Sequence, residues 1–309
     1  MKGKIAVTPR SLSREGHPAL GVLETAGYQV IFPTPGRQPT TDDLREFLPG
    51  CVGYLAGVEP VPSEVLSLCH DLKVISRNGV GVDNIDLDAA RSLGIAIERA
   101  AGANARGVAE LTIALMLAGL RSVPWSDRCL KGGGWARQEG IEVCGRTLGV
   151  IGCGQIGKLV AEMALGLGMR VRAYDLFLDL TFMPPGDFAY GTWHEVLSES
   201  DIISLHCPPR EQALIDADAI VRMKRGAYLV NTARAALIDE IAVLSALEAG
   251  KLRGFATDVY DHEPPALTPL LCHDRVITTP HAGGLTHESI ERATEAAVSN
   301  LLKVLEGEG

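Results

Sequence analysis

The chain has 309 residues, 46% of them hydrophobic and 22% charged, which excludes a disordered polypeptide and suits two domains better than one. A formal net charge of −9 argues against a nucleic-acid or anionic-membrane partner. The longest apolar run, residues 111–120, is far short of the ~20 residues that span a bilayer. Seven cysteines without a CxxC pair fit reduced thiols better than a disulfide framework. With no signal-peptide pattern at the start, the expectation is a cytoplasmic protein with no metal site.

In chain order, short β-rich runs alternate with helical patterns, the signature of parallel α/β sheets. Strands are expected at 5–7, 29–32, 54–56, 74–76 and 95–97, with helices at 18–26, 42–47, 63–68 and 87–93 between them. A long helix at 105–121 and a shorter one at 125–130 follow, and the Gly132-Gly133-Gly134 run reads as the most flexible point. A second series of strands falls at 148–151, 170–174, 201–205, 227–230, 254–257 and 276–278, with helices at 156–167, 193–197, 217–223 and 240–248. The last segment, 288–305, is amphipathic, with Ile290, Ala293, Ala297, Leu301 and Leu305 at helical spacing after a candidate cap, Thr286.

The strongest local motif is Gly152-Cys153-Gly154-Gln155-Ile156-Gly157, which follows an apolar strand and opens a helical pattern. Gly152 permits the tight turn, Gly154 lets the backbone approach a pyrophosphate, and Gly157 lets helix and strand pack closely. The helix N-terminus offers unpaired N–H groups to the phosphates. Asp175, eighteen residues after Gly157 at the end of the next strand, can accept from both ribose hydroxyls and repels a 2′-phosphate, so NAD is expected rather than NADP.

Four further segments stand out: Ser76-Arg77-Asn78-Gly79-Val80-Gly81-Val82-Asp83-Asn84, Asn231-Thr232-Ala233-Arg234, Asp258-Val259-Tyr260-Asp261-His262-Glu263-Pro264 and Thr279-Pro280-His281-Ala282-Gly283-Gly284. With the glycine loop, and in this order over nearly the whole chain, they resemble the D-isomer-specific 2-hydroxyacid dehydrogenases. The Arg-Asn-Gly-Val-Gly segment looks closest to the phosphoglycerate dehydrogenases among them. The resemblance implies two Rossmann-like domains: a flavodoxin-like substrate domain, 1–100 plus 285–309, and a doubly wound NAD-binding domain, 101–284. It further implies a homodimer built largely from 105–130.

The same resemblance places the catalytic residues at Arg234, Glu263 and His281. Elementary chemistry suits them to those roles. A guanidinium fork can hold a carboxylate and polarise a carbonyl, an imidazole can carry a proton near neutral pH, and a carboxylate beside the imidazole orients it and favours its charged form. By the resemblance, Val80 and Gly81 hold the substrate carboxylate through backbone N–H groups, Arg77 is a substrate-facing cation, and Asn104 matches an asparagine ahead of the Val-Ala-Glu run. Asp258 matches an acid near the nicotinamide carboxamide, while Cys207, Pro208 and Ala233 line the cofactor. Gln155, Ile156, Thr232, Gly283 and Gly284, in the same motifs, count as cofactor contacts, as do Arg234 and His281.

Two features depart from the family pattern. The Pro209-Arg210-Glu211-Gln212-Ala213 loop is short and lacks threonines, and Ala235 stands where glycine is usual. His206, His262 and His287 read as structural or supporting.

The reaction expected is interconversion of a small 2-hydroxy acid and its 2-keto acid with NAD, D-3-phosphoglycerate and phosphohydroxypyruvate being the favoured pair. The alternatives are a glyoxylate or hydroxypyruvate reductase, an enzyme like phosphite dehydrogenase, or an NAD-sensing binding protein like the corepressors that share this fold. Formate dehydrogenases put glutamine where Glu263 stands, which argues against that branch. The sequence ends soon after the last expected helix, so no C-terminal regulatory domain is expected.

Overall fold

The alternating pattern resolves into two parallel sheets in the computed structural model, which describes residues 1–307. The chain divides into two units, Met1–Asn104 with the segment from Leu285 onward, and Ala105–Gly284. The expected α/β class is borne out in both.

The first unit runs β1 (Lys4–Val7), α1 (Arg10–Glu15), α2 (Leu20–Thr25), β2 (Gln29–Ile31), α3 (Thr41–Phe47), β3 (Cys51–Ala56), α4 (Ser63–Leu66), β4 (Val74–Arg77), α5 (Leu87–Ser92) and β5 (Ala96–Arg99). The strand order is β2-β1-β3-β4-β5, all parallel, which is the flavodoxin-like order. Because successive side chains alternate across a strand, one face presents Ile5, Val7, Leu55 and Val74 and the other Ala6, Tyr54, Ala56 and Ile75. The second face is covered by Leu44, Val65 and Ala90 from α3, α4 and α5. The first is covered by the C-terminal helix, His287–Leu305, through Ala297, Val298 and Leu301. Thr286 caps that helix by accepting from the Ser289 N–H at 3.1 Å, as its sequence position suggests.

The second unit runs α6 (Ala105–Leu120), α7 (Val123–Lys131), β6 (Thr147–Ile151), α8 (Gln155–Gly166), β7 (Arg170–Tyr174), β8 (Phe188–Tyr190), α9 (Trp193–Glu199), β9 (Ile202–Leu205), α10 (Ala217–Arg222), β10 (Ala227–Asn231), a 3₁₀ turn (Ala235–Leu237), α11 (Glu240–Glu248), β11 (Leu252–Thr257) and β12 (Val276–Thr278). Its order, β12-β11-β10-β9-β6-β7-β8, reverses direction between β9 and β6, the doubly wound arrangement whose switch point receives a ligand. Leu148, Val150 and Val171 pack on the α6 and α8 side, and Ile203, Leu229 and Phe255 on the side of α9, α10 and α11.

Three elements escape a pattern reading. Helix α1 buries only Leu12 and Ser13, so it has no apolar stripe. Strand β8 is a three-residue edge strand, held by edge-on contacts among Phe182, Phe188 and Tyr190. The 3₁₀ turn is too short to show a period. The Gly132–134 run is not a loose linker: its N–H groups return to the carbonyls of Arg128, Leu130 and Cys129 at 2.9, 3.0 and 2.9 Å and close α7. Among the described residues, no single helix is long and apolar enough to cross a membrane.

Leu301 is fully buried under the first sheet. Leu301→Ala is therefore expected to cost about 2–5 kcal/mol, the range for deleting a buried leucine side chain. Urea unfolding followed by circular dichroism measures it, and a loss under about 1 kcal/mol would mean that the helix is not anchored through this residue.

Candidate active site

In the second unit every motif falls just beyond the carboxyl end of a strand: Gly152 after β6, Asp175 after β7, Cys207 after β9, Arg234 after β10, Asp258 after β11 and His281 after β12. In an open parallel sheet this edge is where ligands bind. The strands beneath have apolar centres, such as Val150, Ile203, Leu229 and Phe255, and most of the motif residues lie in the loops that follow them.

The glycine loop is shaped by two contacts and one opening. Gly152 has φ +91°, and a Cβ there would meet the His206 and Cys207 backbone at 2.6 and 2.7 Å. A Cβ on Gly157 would overlap the Gly152 carbonyl. Gly154, by contrast, has nothing within 4 Å of its Cβ position, so protein packing does not demand glycine there. An open face above the loop is what a pyrophosphate needs.

Helix α8 has no side-chain cap, and the N–H groups of Gln155, Ile156 and Gly157 have no protein acceptor among the described residues. A helix start left in that state suits an anion. Asp175 is anchored by the Cys153 N–H at 2.7 Å and the Phe177 N–H at 2.9 Å, one on each oxygen, which leaves acceptor capacity for a diol. These residues fit a dinucleotide. Beside them Tyr174, Trp193, Arg210, Ala213, Leu214 and Arg222 line a cavity of about 370 Å³. The short loop that departs from the family pattern thus supplies part of a cavity wall.

At the other end of the sheet, Asp258 is 2% exposed and its carboxylate gathers the loop after β12. Oδ1 accepts from the Thr279 hydroxyl at 2.6 Å and the Ala282 N–H at 2.7 Å, and Oδ2 accepts from the Gly283 N–H at 2.8 Å. The Tyr260 hydroxyl donates to the Thr279 carbonyl at 2.7 Å. Inside this clamp His281 adopts φ +50°, a left-handed conformation that costs a non-glycine residue about 1–2 kcal/mol and is concentrated at functional sites.

His281 Nδ1 lies 2.6 Å from Glu263 Oε1. A carboxylate only accepts, so Nδ1 carries the hydrogen and Nε2 is the nitrogen free to gain or lose a proton. Both side chains are about half exposed, so solvent screens the pair and its value is positional.

Arg234 stands two strands away from His281, about 10 Å in strand spacings. Its turn is folded by Asn231, whose amide donates to the Arg234 carbonyl at 2.8 Å and accepts from the Ala233 N–H at 3.0 Å. The Arg234 guanidinium donates to the Ala233 carbonyl at 2.8 Å, and Ala235 opens the 3₁₀ turn. Thr232 and Thr112 share a buried hydrogen bond at 2.8 Å that ties this turn to α6. His206 holds Ser204 at 2.8 Å, and desolvation of its ring pushes its pKa down to about 3, which favours the neutral imidazole. His262 is exposed, and His287 opens the C-terminal helix of the first unit.

In the first unit Arg77 ends β4, with its guanidinium turned onto the Asn78 carbonyl and 2.5 Å from where a Gly79 Cβ would stand. The following N–H groups, Val80 and Gly81, have no protein acceptor among the described residues. Two adjacent free donors on a turn suit a carboxylate. Asn104 is the last residue of this unit and is half-buried.

Sequence reasoning missed Asn231, Thr112, Thr279 and Tyr260 as organisers, and Trp193 and Arg210 as cavity walls. Only Thr112 left a signal, a hydroxyl inside an otherwise apolar helix.

The model of the "D-isomer specific 2-hydroxyacid dehydrogenase, NAD binding domain" family matches residues 113–283. The chain is 42% identical over 253 residues to a D-3-phosphoglycerate dehydrogenase of Methanocaldococcus jannaschii, covering 80% of this chain and 48% of the relative. It is 37% identical over 272 residues to a hydroxypyruvate reductase of Thermotoga maritima, covering 85% of this chain and 88% of the relative. Among solved structures, the TT0316 protein of Thermus thermophilus superposes with a TM-score of 0.87 at 36% identity, over 98% of this chain and 97% of that one. The chain spans about half the length of the D-3-phosphoglycerate dehydrogenases it matches.

Asp258→Asn replaces one acceptor oxygen with an NH₂ group that faces an N–H or O–H donor. The substitution is expected to destabilise by about 1–3 kcal/mol, the cost of a buried unpaired donor. Urea unfolding measures it, and unchanged stability would show that the loop after β12 does not depend on this carboxylate.

Proposed function

The chain belongs to the D-isomer specific 2-hydroxyacid dehydrogenases, and from that premise we propose that it interconverts a D-2-hydroxy acid and its 2-keto acid with NAD. The observation that carries the reading is the Glu263–His281 pair, held by Asp258 on the same sheet edge as the open glycine loop. D-3-phosphoglycerate and phosphohydroxypyruvate are the favoured pair. That choice rests on similarity to phosphoglycerate dehydrogenases and on a guanidinium, Arg77, next to the free N–H turn. Hydroxypyruvate and D-glycerate form the second reading, favoured by similarity over nearly the full length of a hydroxypyruvate reductase.

The chemistry that NADH would supply when bound, in the reductive direction, is a hydride for the carbonyl carbon. Gln155, Ile156 and Gly157 would hold its pyrophosphate through their N–H groups, Asp175 would take the adenosine ribose, and the cavity beside Tyr174 would receive the adenine. Cys207, Pro208, Thr232, Ala233, Gly283 and Gly284 would line the remaining length of the cofactor. Val80 and Gly81 bind the substrate carboxylate, Asn104 contacts the substrate, and Arg77 reads its distal anion. The Arg234 fork holds the carboxylate and polarises the carbonyl. His281 Nε2 delivers a proton to the carbonyl oxygen while Glu263 holds the ring through Nδ1.

We further propose a cytoplasmic setting, supported by seven free cysteines, and a homodimer. Helix α7 buries none of its residues, and Val123, Leu130 and the 79%-exposed Trp135 offer apolar surface around it. Sedimentation velocity at micromolar protein is expected to give a dimer, and a monomer would remove that part.

The deciding experiment is a screen of phosphohydroxypyruvate, hydroxypyruvate, glyoxylate, pyruvate and 2-oxoglutarate with NADH and with NADPH. Phosphohydroxypyruvate with NADH is expected to be fastest. His281→Ala is expected to lose roughly 10²–10⁴-fold in turnover, the usual worth of a general acid. Arg77→Ala is expected to weaken phosphohydroxypyruvate about 10–100-fold while barely touching glyoxylate, which has no distal group. Hydroxypyruvate fastest would move the substrate to the second reading. No turnover on any acid would leave an NAD-binding protein without this chemistry.

A further inference from the structure

The first unit contains a buried ionisable cluster that none of the motifs includes. Glu59 is 1% exposed, and its Oε1 accepts from three donors: the Gly57 N–H at 2.8 Å and the hydroxyls of Thr8 and Tyr54. The two hydroxyls are themselves 3.1 Å apart. Oε2 occupies the space that a side chain at residue 57 would need, 2.6 Å from the Cβ position of Gly57. Burial first, and the Glu59 charge second, push the Tyr54 phenol well above its usual range, so it remains a donor. A carboxylate out of water is costly unless its oxygens are satisfied, and losing its partners would leave buried donors unpaired.

The backbone of the same residue bonds to a different segment. The Glu59 carbonyl accepts from the Asn84 side-chain amide at 2.6 Å, the Asn84 carbonyl accepts from the Val61 N–H at 2.8 Å, and Val61 and Ile85 form a parallel bridge. Asn84 lies three residues after Gly81, in the turn that follows β4. The carboxylate therefore grips β1 through Thr8 and β3 through Tyr54 and Gly57, while the carbonyl grips the turn after β4. These are three adjacent strands of the sheet, and Glu59 ties their carboxyl ends together.

We propose that Glu59 is a positioning residue for the substrate turn: its buried carboxylate fixes the 57–61 loop against the sheet, and Asn84 passes that fixed position to Val80 and Gly81. The inference rests on the reading of Val80 and Gly81 as carboxylate donors. Free backbone donors select a carboxylate only if their directions are set in advance, and a shift of about 1 Å can cost roughly 10²-fold.

The test compares Glu59→Leu, Glu59→Gln and Asn84→Ala with the wild type by keto-acid kinetics, NADH affinity from fluorescence, and amide hydrogen exchange. Glu59→Leu and Asn84→Ala are expected to raise the keto-acid KM at least ~10-fold while kcat stays within ~3-fold and NADH affinity is unchanged. Glu59→Gln keeps one acceptor oxygen and is expected to fall between them and the wild type. Exchange at the hydrogen-bonded amides of the two loops, Val61, Ile85 and Asp86, should quicken ~10-fold or more without a change in β4.

An unchanged KM and unchanged exchange at Val61, Ile85 and Asp86 in Glu59→Gln and Asn84→Ala would overturn the proposal. So would an exchange increase spread evenly over the first unit, which marks a general role in folding. A wild type that reduces no keto acid would instead remove the proposed function, and the exchange pattern alone would then decide the role of Glu59.

Discussion

The second unit depends on one buried negative charge. Asp258 sits at the carboxyl end of β11, closed off from solvent, and its oxygens must be hydrogen-bonded or the fold carries the cost of a bare carboxylate. Its donors come from Thr279, Ala282 and Gly283, 21 to 25 residues downstream. The chain leaving β12 therefore has to turn back over β11, and the residue at the bend, His281, is driven into a left-handed conformation. What fixes the backbone geometry around the imidazole is thus satisfaction of a buried acid, and the Glu263 contact orients a ring whose place is already set.

Both sheets separate stability from chemistry in the same way. Strand interiors such as Val150, Ile203, Leu229 and Phe255 are fully buried and apolar, as parallel strands covered on both faces must be. Polar groups appear where strands end and the backbone is no longer committed to the ladder. There, acids such as Glu59 and Asp258 act inward, gathering loops onto the sheet. Among the described residues, other N–H groups are left without internal partners, as at the glycine loop and the Val80–Gly81 turn. His206, just past the end of β9, shows the contrast: desolvation lowers its pKa and favours the neutral ring, whereas the half-exposed His281 keeps an accessible nitrogen.

The amino-acid sequence by itself determined what depends on local chemistry. Alternating β-rich and helical runs gave the α/β class, and the glycine hexapeptide with Asp175 at the end of the next strand marked a dinucleotide loop. The segments that carry Arg234, Glu263 and His281 stood out because their residue types and motif order are distinctive over a few residues, and the structure brings Glu263 against His281. Tertiary structure alone decided the rest, because those facts are distances between segments far apart in sequence. Edge strand β8 and helix α1 have too few buried residues to show a period. The inward roles of Asp258 and Glu59 are invisible locally, since an acid in a loop reads as solvated until the fold closes over it and supplies its donors. Even the Gly132–134 run, flexible by composition, becomes a helix end once its N–H groups find the carbonyls of the preceding turn.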